Sequence, residues 1–247
     1  MKNIKSFVTS CALVLFSVAI FVSCGEKIEC EDVGSEFVTY LSVNSDKPLS
    51  EFTSEDWNIL KEAKSRLDIT VNADGFMVIK QRSGYEVNIS EELFYTIYRM
   101  VESGNKKLAK LSQTRSGTLP DDCVACCIIE LDRKLGGSTL QYDLVARWIY
   151  NHYDTGGVPL HALLHTVNTF LVATIVGTPI STASFGMGPI MAIIRGGSHA
   201  VVVEDLYGGE VLVFDPQAMR HSELEYDWIY FVPYSDVFLA IQATATR

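Results

Sequence analysis

The spacing of apolar residues changes near Pro189, and this change limits the folds that the chain can adopt. From Val124 to Pro189, apolar residues recur mainly every three or four positions, which is typical of helices. After it come short β-rich runs separated by Gly, Pro and Asp, at residues 190–194, 199–204, 211–214 and 228–232. Helices followed by antiparallel strands predict an α+β architecture.

Two of these β-rich runs are predicted to form a hairpin. One run begins at His199, the other leads into Asp215, and Gly208-Gly209 separates them. Adjacent glycines between two β-rich runs favour a tight turn. Folding the chain back at this turn brings Asp215 near the partner position of His199, although a slip of one residue would turn a side chain to the opposite face. We therefore expect the two residues to lie within hydrogen-bond reach.

A helix is predicted to begin at Cys123. Its apolar stripe includes Val124, Ile128 and Leu131, and the pattern stops at Gly136-Gly137. Asp121 or Asp122 is placed to cap the helix. The first turn of a helix carries partial positive charge, which favours a thiolate at Cys123. A cysteine at a helix start, followed by His199 and Asp215, suggests a nucleophile with its base and orienting acid.

Together these residues resemble the papain-like cysteine peptidases, and most nearly the C39 (bacteriocin-processing) and C39-like group. The resemblance covers residues 113–234. It implies a papain-like fold in which a helical part bears the cysteine and an antiparallel sheet bears the histidine and aspartate. It further implies Cys123 as nucleophile, His199 as general base and Asp215 as orienter, acting without a cofactor. The expected activity is cleavage of peptide (amide) bonds in a peptide or protein substrate.

The family also carries an oxyanion glutamine upstream of its cysteine. Gly117 occupies that position here, and the nearest glutamine is Gln113, which is the candidate oxyanion side chain. The backbone N–H of Cys123 can supply one further donor. Val124 is another departure, because glycine commonly follows the cysteine in the family.

Alternatives remain at this stage. Cys126 could be the nucleophile, but Cys123 lies nearer the helix start. The Cys-x-x-Cys run and the later Asp-x-Gln also resemble papain-fold glutamine deamidases or acyltransferases, and a third possibility is a catalytically inactive surface-binding lipoprotein. His161 and His165 are four residues apart on a predicted helix, but no glutamate-bearing motif accompanies them, so no metal site is predicted.

The start of the chain is interpreted as an export signal. Lys2 and Lys5 precede a largely apolar run, and Ser23 precedes Cys24. This ending resembles a bacterial lipobox, in which the cysteine is lipidated and becomes the first mature residue, although Phe21 stands where leucine is usual. We expect an exported lipoprotein anchored in the bilayer through Cys24, in the outer membrane, on either its periplasmic or its surface face.

Charge argues against a nucleic-acid partner. The formal net charge is −10, and removing residues 1–23 takes away two lysines and no acid, which leaves −12. A chain with this charge is a poor binder of phosphate backbones.

Four segments are predicted. Residues 1–23 are the signal peptide, and residues 24–52 are a tether. Residues 53–112 are a small α+β region, and residues 113–247 are the peptidase-like domain. The α+β region is expected to contain a helix capped by Thr53 with Asp56, a hairpin around Asp74-Gly75, and a second helix that ends at Gly104. Polar residues 105–121 are predicted to be the boundary before the peptidase-like domain.

Overall fold

The structure is a computed structural model that describes residues 39–43, 47–112, 122–154, 157–178, 180–221 and 225–247. These residues fall in one compact unit, Thr39–Arg247, so the predicted regions 53–112 and 113–247 lie in the same unit. The predicted signal peptide, Cys24, Gln113 and Asp121 lie outside the described residues.

Helices and strands follow one another along the described chain. The helices are α1 (Ser54–Arg66), α2 (Glu91–Ser112), α3 (Cys123–Lys134), α4 (Tyr142–Tyr153), α5 (Leu163–Phe170), α6 (Thr182–Phe185) and α7 (Pro216–His221). The strands are β1 (Ile69–Val71), β2 (Met77–Ile79), β3 (Leu171–Val176), β4 (Ile190–Ile194), β5 (His199–Tyr207), β6 (Glu210–Phe214), β7 (Ile229–Pro233) and β8 (Val237–Thr246). None of the described helices combines the length and apolarity that a membrane span requires.

The α+β class and the antiparallel sheet are confirmed. Strands β1 and β2 form the predicted hairpin, and the main sheet has the order β3-β8-β4-β5-β6-β7 with antiparallel neighbours throughout. Gly208-Gly209 forms the turn between β5 and β6, as predicted.

Several elements differ from the sequence-based expectation. The apolar spacing of Leu163, Val167 and Leu171 predicts a helix through Leu171. The helix instead ends at Phe170, because Leu171 begins β3 and pairs with β8. The Asn168 side chain bonds both backbone groups of Ala173 and so fixes the reversal from α5 into β3. Residues 179–188 are rich in Ser, Thr and Gly, which predicts a loop, but α6 lies within them. The sequence pattern does not predict strand β8.

The main sheet has hydrophobic cores on both faces. On one face, Ala200 and Val202 of β5 pack with the start of α3. On the other face, Val201 and Val203 pack with Leu108 and Leu111 of α2. This alternation follows from the two-residue period of a strand. Helices α2 and α3 thus approach the same central strand from opposite sides.

Helix α1 begins and docks through polar contacts. The predicted capping box is confirmed, since the Thr53 hydroxyl accepts from the Asp56 backbone N–H and the Asp56 carboxylate accepts from the Thr53 backbone N–H. Near its C-terminus, Lys64 forms a buried ion pair with Glu210 of β6, close to the rings of Tyr207 and Phe231. The ion pair ties the helix to the sheet.

The predicted end of α2 at Gly104 is wrong. The helix continues to Ser112, so residues 105–112 of the expected boundary are helical. A Cβ atom at Gly104 would lie 2.0 Å from the backbone oxygen of Phe231. Gly104 therefore serves close packing: it lets α2 cross the edge strand β7 in contact with its backbone.

We expect Gly104→Ala to lower the free energy of unfolding by about 2 kcal/mol, because the new methyl group displaces α2 from β7. An alanine in an unobstructed helix would instead be stabilising. Urea unfolding of the purified mature chain measures the effect, and Gly177→Ala is the control because no atom lies within 4 Å of its Cβ position. Equal stability of Gly104→Ala and the parent would contradict this account of the crossing.

Candidate active site

The carboxylate of Asp215 organises the site. Asp215 directly follows β6 and is completely buried. Its Oδ2 atom lies 2.7 Å from Nε2 of His199, 2.7 Å from Nζ of Lys107 and 3.1 Å from the Tyr230 hydroxyl, which donates to it. Its Oδ1 atom accepts the backbone N–H of Ala218 at 3.0 Å. The predicted hydrogen bond between His199 and Asp215 is confirmed.

Asp215 is ionised despite its burial. Desolvation alone would raise its pKa, but the charges and hydrogen bonds of His199 and Lys107 outweigh desolvation and lower the pKa well below the usual range. A buried carboxylate is stable as an anion only when such partners replace water.

His199 is held with one ring nitrogen engaged and the other available. It is the first residue of β5 and is 1% exposed. Nε2 faces an ionised carboxylate and so carries the hydrogen of that bond. Nδ1 is buried and has no hydrogen-bond partner among the described residues. In the neutral ring Nδ1 therefore has a free lone pair, which is the position from which an imidazole accepts a proton.

Cys123 begins α3, as predicted, and lies beside the start of β5. Its side chain is completely buried, and the backbone N–H of Ala200 lies near the sulfur and acts to lower the pKa of the thiol. Strand alternation turns Ala200 toward Cys123 and turns His199, the preceding residue, toward the α2 face. Within the described residues, no hydrogen bond joins the thiol to the imidazole.

The expected thiolate at Cys123 is wrong for this state of the molecule. Burial raises the pKa of the Cys123 thiol far above its ordinary value, and the Ala200 N–H offsets only part of this rise. Burial likewise raises the pKa of Cys126 to about 12 and that of Cys127 well above its ordinary value. All three are free thiols, so none is protected or strained by a disulfide.

Asp122 does not cap α3 through its side chain. The residue adopts a left-handed backbone conformation, with φ at 68°, and makes no capping hydrogen bond. Its carboxylate instead accepts from the Tyr142 hydroxyl at 2.7 Å, from Gln217 Nε2, and lies 3.0 Å from His221 Nε2. Burial opposes ionisation of Asp122, but these partners, with His221 foremost, lower its pKa. The cluster ties the start of α3 to α4 and α7.

Two clefts meet over α7. One of about 600 Å³ has His199 on its wall together with Lys106, Lys107, Lys110 and Asp227. The other, of about 610 Å³, is lined mainly by Asp122, Tyr142, Arg147 and Tyr150. Gln217 and His221 line both clefts. A separate cavity of about 440 Å³ between Trp57 and Trp228 includes none of the predicted catalytic residues.

Sequence reasoning missed two groups that contact Asp215. Lys107 was assigned to a boundary segment, yet it lies on the last turns of α2. The apolar spacing of Ile97, Val101, Leu108 and Leu111 continues through Gly104 and could have revealed the longer helix. Tyr230 lies on a strand that was predicted, but nothing in the sequence indicates its partner.

The two histidines weighed as a metal pair, His161 and His165, are both exposed. Within the described ranges, no group of three or more His, Cys, Asp or Glu side chains is arranged to hold a metal ion.

We expect Asp215→Asn to destabilise the protein by about 3 kcal/mol near pH 7, because Lys107 is left without its buried counter-ion. The folded-state pKa of Asp215 is depressed, so its stabilising effect is complete above about pH 4 and is lost as the pH falls toward the folded-state value. The stability difference between parent and variant should therefore shrink below about pH 4. Urea unfolding at several pH values measures it.

Asp68→Asn provides the matched control for this measurement, because Asp68 forms an exposed ion pair with Lys80. It should cost less than about 1 kcal/mol at every pH. A constant difference between parent and Asp215→Asn down to pH 3 would show that the Asp215 carboxylate is not the acid-sensitive group.

Comparisons with protein-family models, with curated proteins and with solved structures found no match to this chain. The likeness of Cys123, His199 and Asp215 to the papain-like peptidases thus stays a prediction based on the residues themselves. Any function has to follow from the geometry of this chain.

Proposed function

We propose that the protein is an exported thiol hydrolase of papain-like fold that cleaves peptide bonds. Cys123 is the nucleophile, His199 the general base and Asp215 the orienting acid. The observation that carries the proposal is the buried His199–Asp215 hydrogen bond, which engages Nε2 and leaves Nδ1 without a hydrogen-bond partner among the described residues, while His199 lines a substrate-sized cleft. Such a pair fixes the tautomer and orientation of the ring and stabilises the imidazolium that forms during catalysis.

The proposed reaction starts from a neutral thiol, because burial keeps Cys123 protonated. The thiol proton passes to Nδ1 of His199 while the sulfur attacks the amide carbonyl and a C–S bond forms. The imidazolium then gives that proton to the leaving nitrogen as the C–N bond breaks, which leaves a thioester. Water, deprotonated by His199, attacks the thioester, and the carboxylic acid leaves as the sulfur regains a proton.

The tetrahedral intermediate needs donors for its oxyanion. The proposal assigns one to the backbone N–H of Cys123, which opens helix α3. The second is assigned to Gln113, a residue outside the described ranges.

A movement at the start of β5 is part of the proposal. Ala200, whose N–H contacts the thiol, is the next residue after His199 in the chain. The proposal requires a rearrangement of the Cys123 side chain or of the first residue of β5 that brings sulfur and Nδ1 together. The same rearrangement has to uncover Cys123, because a completely buried sulfur cannot meet a substrate.

Two other functions use the same residues differently. A glutamine deamidase would form the same thioester but release ammonia instead of an amine. A non-catalytic binding lipoprotein is favoured by two specific observations: all three described cysteines have raised pKa values, and Cys123 makes no hydrogen bond with His199. The products distinguish these alternatives: a peptidase releases new amino termini, a deamidase releases ammonia, and a binding protein releases neither.

We expect Cys123→Ala to abolish release of new amino termini from a peptide library, because the proposed thioester forms on the Cys123 sulfur. Cys127→Ala removes a buried sulfur on the same helix and is the packing control; it should retain activity while losing some stability. Mass spectrometry of the products distinguishes peptide cleavage from deamidation of glutamine.

Alkylation provides a second test of the same proposal. In the resting protein at pH 7, Cys123 should react with iodoacetamide much more slowly than a free cysteine, since burial holds the thiol protonated. Full activity of Cys123→Ala would refute the nucleophile assignment. Absence of both cleavage and deamidation in the correctly exported parent would favour the binding function.

The proposal places the protein in a membrane through lipid on Cys24. Mass analysis of the mature N-terminus should find a diacylated or triacylated Cys24, because a single chain anchors only marginally. Cys24→Ser should release the protein into the soluble fraction. A mature chain that begins at another residue would refute the anchor without affecting the catalytic assignment.

A further inference from the structure

The cleft beside His199 is rich in lysine within a negatively charged chain. Its charged wall consists of Lys106, Lys107 and Lys110 from α2, opposed by Asp227, with His199 and His221 also present. The whole chain carries a formal net charge of −10. We call this 600 Å³ space the lysine cleft. Local positive potential of this kind attracts anions that the rest of the surface repels.

The three lysines differ in how far their charge is already used. Lys107 is paired with Asp215, so its charge supports the catalytic carboxylate. Lys106 lies 3.1 Å from Glu102, in a pair whose side chains are 72% and 47% exposed. The Lys110 side chain makes no ion pair or hydrogen bond with any described residue. Lys106 and Lys110 therefore remain able to bind an external anion.

The positions of these two lysines favour a shared ligand. They are four residues apart, so they project from the same face of α2 one turn apart, where like charges repel weakly. An anion between them removes that repulsion. His199 lines the same cleft, so an anion held there shares the cleft with the residue proposed to take the thiol proton.

We propose that the lysine cleft is a substrate subsite that selects peptides carrying a carboxylate close to the cleaved bond. This inference rests on the proposed function where it calls the bound peptide a substrate. The binding of acidic peptides in the lysine cleft does not depend on that function. A carboxylate fits because the proposed reaction requires a peptide, and carboxylates are the anionic groups that peptides carry. Ammonium groups bind them as point charges with charge-assisted hydrogen bonds. Long polyanions are disfavoured by the negative charge of the remaining surface.

The binding test uses the mature Cys123→Ala protein, so that no probe is consumed. The probes are two fluorescein-labelled octapeptide pools that differ only in having Asp and Glu or Asn and Gln. Fluorescence anisotropy at low salt should show the acidic pool binding about five-fold more tightly, which corresponds to two partly exposed charge contacts. Amidation of the C-termini in both pools should leave this preference unchanged, because the pools differ only in their side chains. Weaker binding of both pools after amidation would show that the terminal carboxylate is bound instead.

Matched variants identify the lysines responsible. Adding K106Q and K110Q should remove the preference for the acidic pool. Adding K61Q and K80Q changes the net charge equally but should retain it, because those lysines lie outside the lysine cleft and pair with Asp205 and Asp68. Equal binding of both pools, or an unchanged preference in the K106Q/K110Q protein, overturns the inference.

Cleavage by the parent separates this inference from the proposed function. If the parent cleaves peptides, sites with Asp or Glu at a fixed distance from the cut should be enriched, and K106Q/K110Q should lose that enrichment. If the parent cleaves nothing but the anisotropy preference follows the lysines, the subsite stands and the hydrolase proposal fails. If cleavage occurs without acidic preference, the hydrolase stands and the subsite inference fails.

Discussion

The rest of the site depends on the ionised carboxylate of Asp215, which is completely shielded from water. An unpartnered charge in that position would cost more than most single interactions in a protein contribute. The chain supplies partners from separate elements: Lys107 from α2, His199 from β5 and Tyr230 from β7. These elements must therefore be assembled before the carboxylate is stable. The orientation of His199 is a consequence of that assembly.

The position of Lys107 explains why the N-terminal helices are inseparable from the site. Helix α2 reaches Asp215 only because it runs past Gly104, where contact with the backbone of β7 leaves no room for a side chain. A glycine after an amphipathic run is more often a helix stop, so a local interpretation misplaces the end. Whether α2 can continue past Gly104 depends on its contact with the backbone of Phe231, which is distant in the sequence. By contrast, the Thr53 capping box and the Gly208-Gly209 turn depend on near neighbours, and the sequence predicts both correctly.

The candidate site likewise has some features that follow from the local sequence and others that depend on distant contacts. The proximity of His199 and Asp215 was predictable, because a tight turn folds β6 back along β5. Their common face was not, since it depends on a register shift between Val203 and Asp205 that the sequence does not indicate. The left-handed conformation of Asp122 and its contacts with Tyr142 and His221 were not, since they depend on α4 and α7 packing around the start of α3. Local rules place an aspartate before a helix as a cap. Here the carboxylate has stronger partners elsewhere.

Relative magnitudes explain why Cys123 is neutral at a helix start. The helix dipole stabilises a terminal anion by about 0.3–1 kcal/mol, or about 2 kcal/mol in favourable geometries. Complete burial disfavours a charge by about 4 kcal/mol or more. Burial is therefore the larger effect, and the single Ala200 N–H does not reverse it. Any motion that admits water or substrate to the sulfur removes the larger effect and leaves the smaller one, so exposure and acidification of the thiol occur together. On this basis, the reactivity of Cys123 is governed by access to it and not by its position on the helix alone.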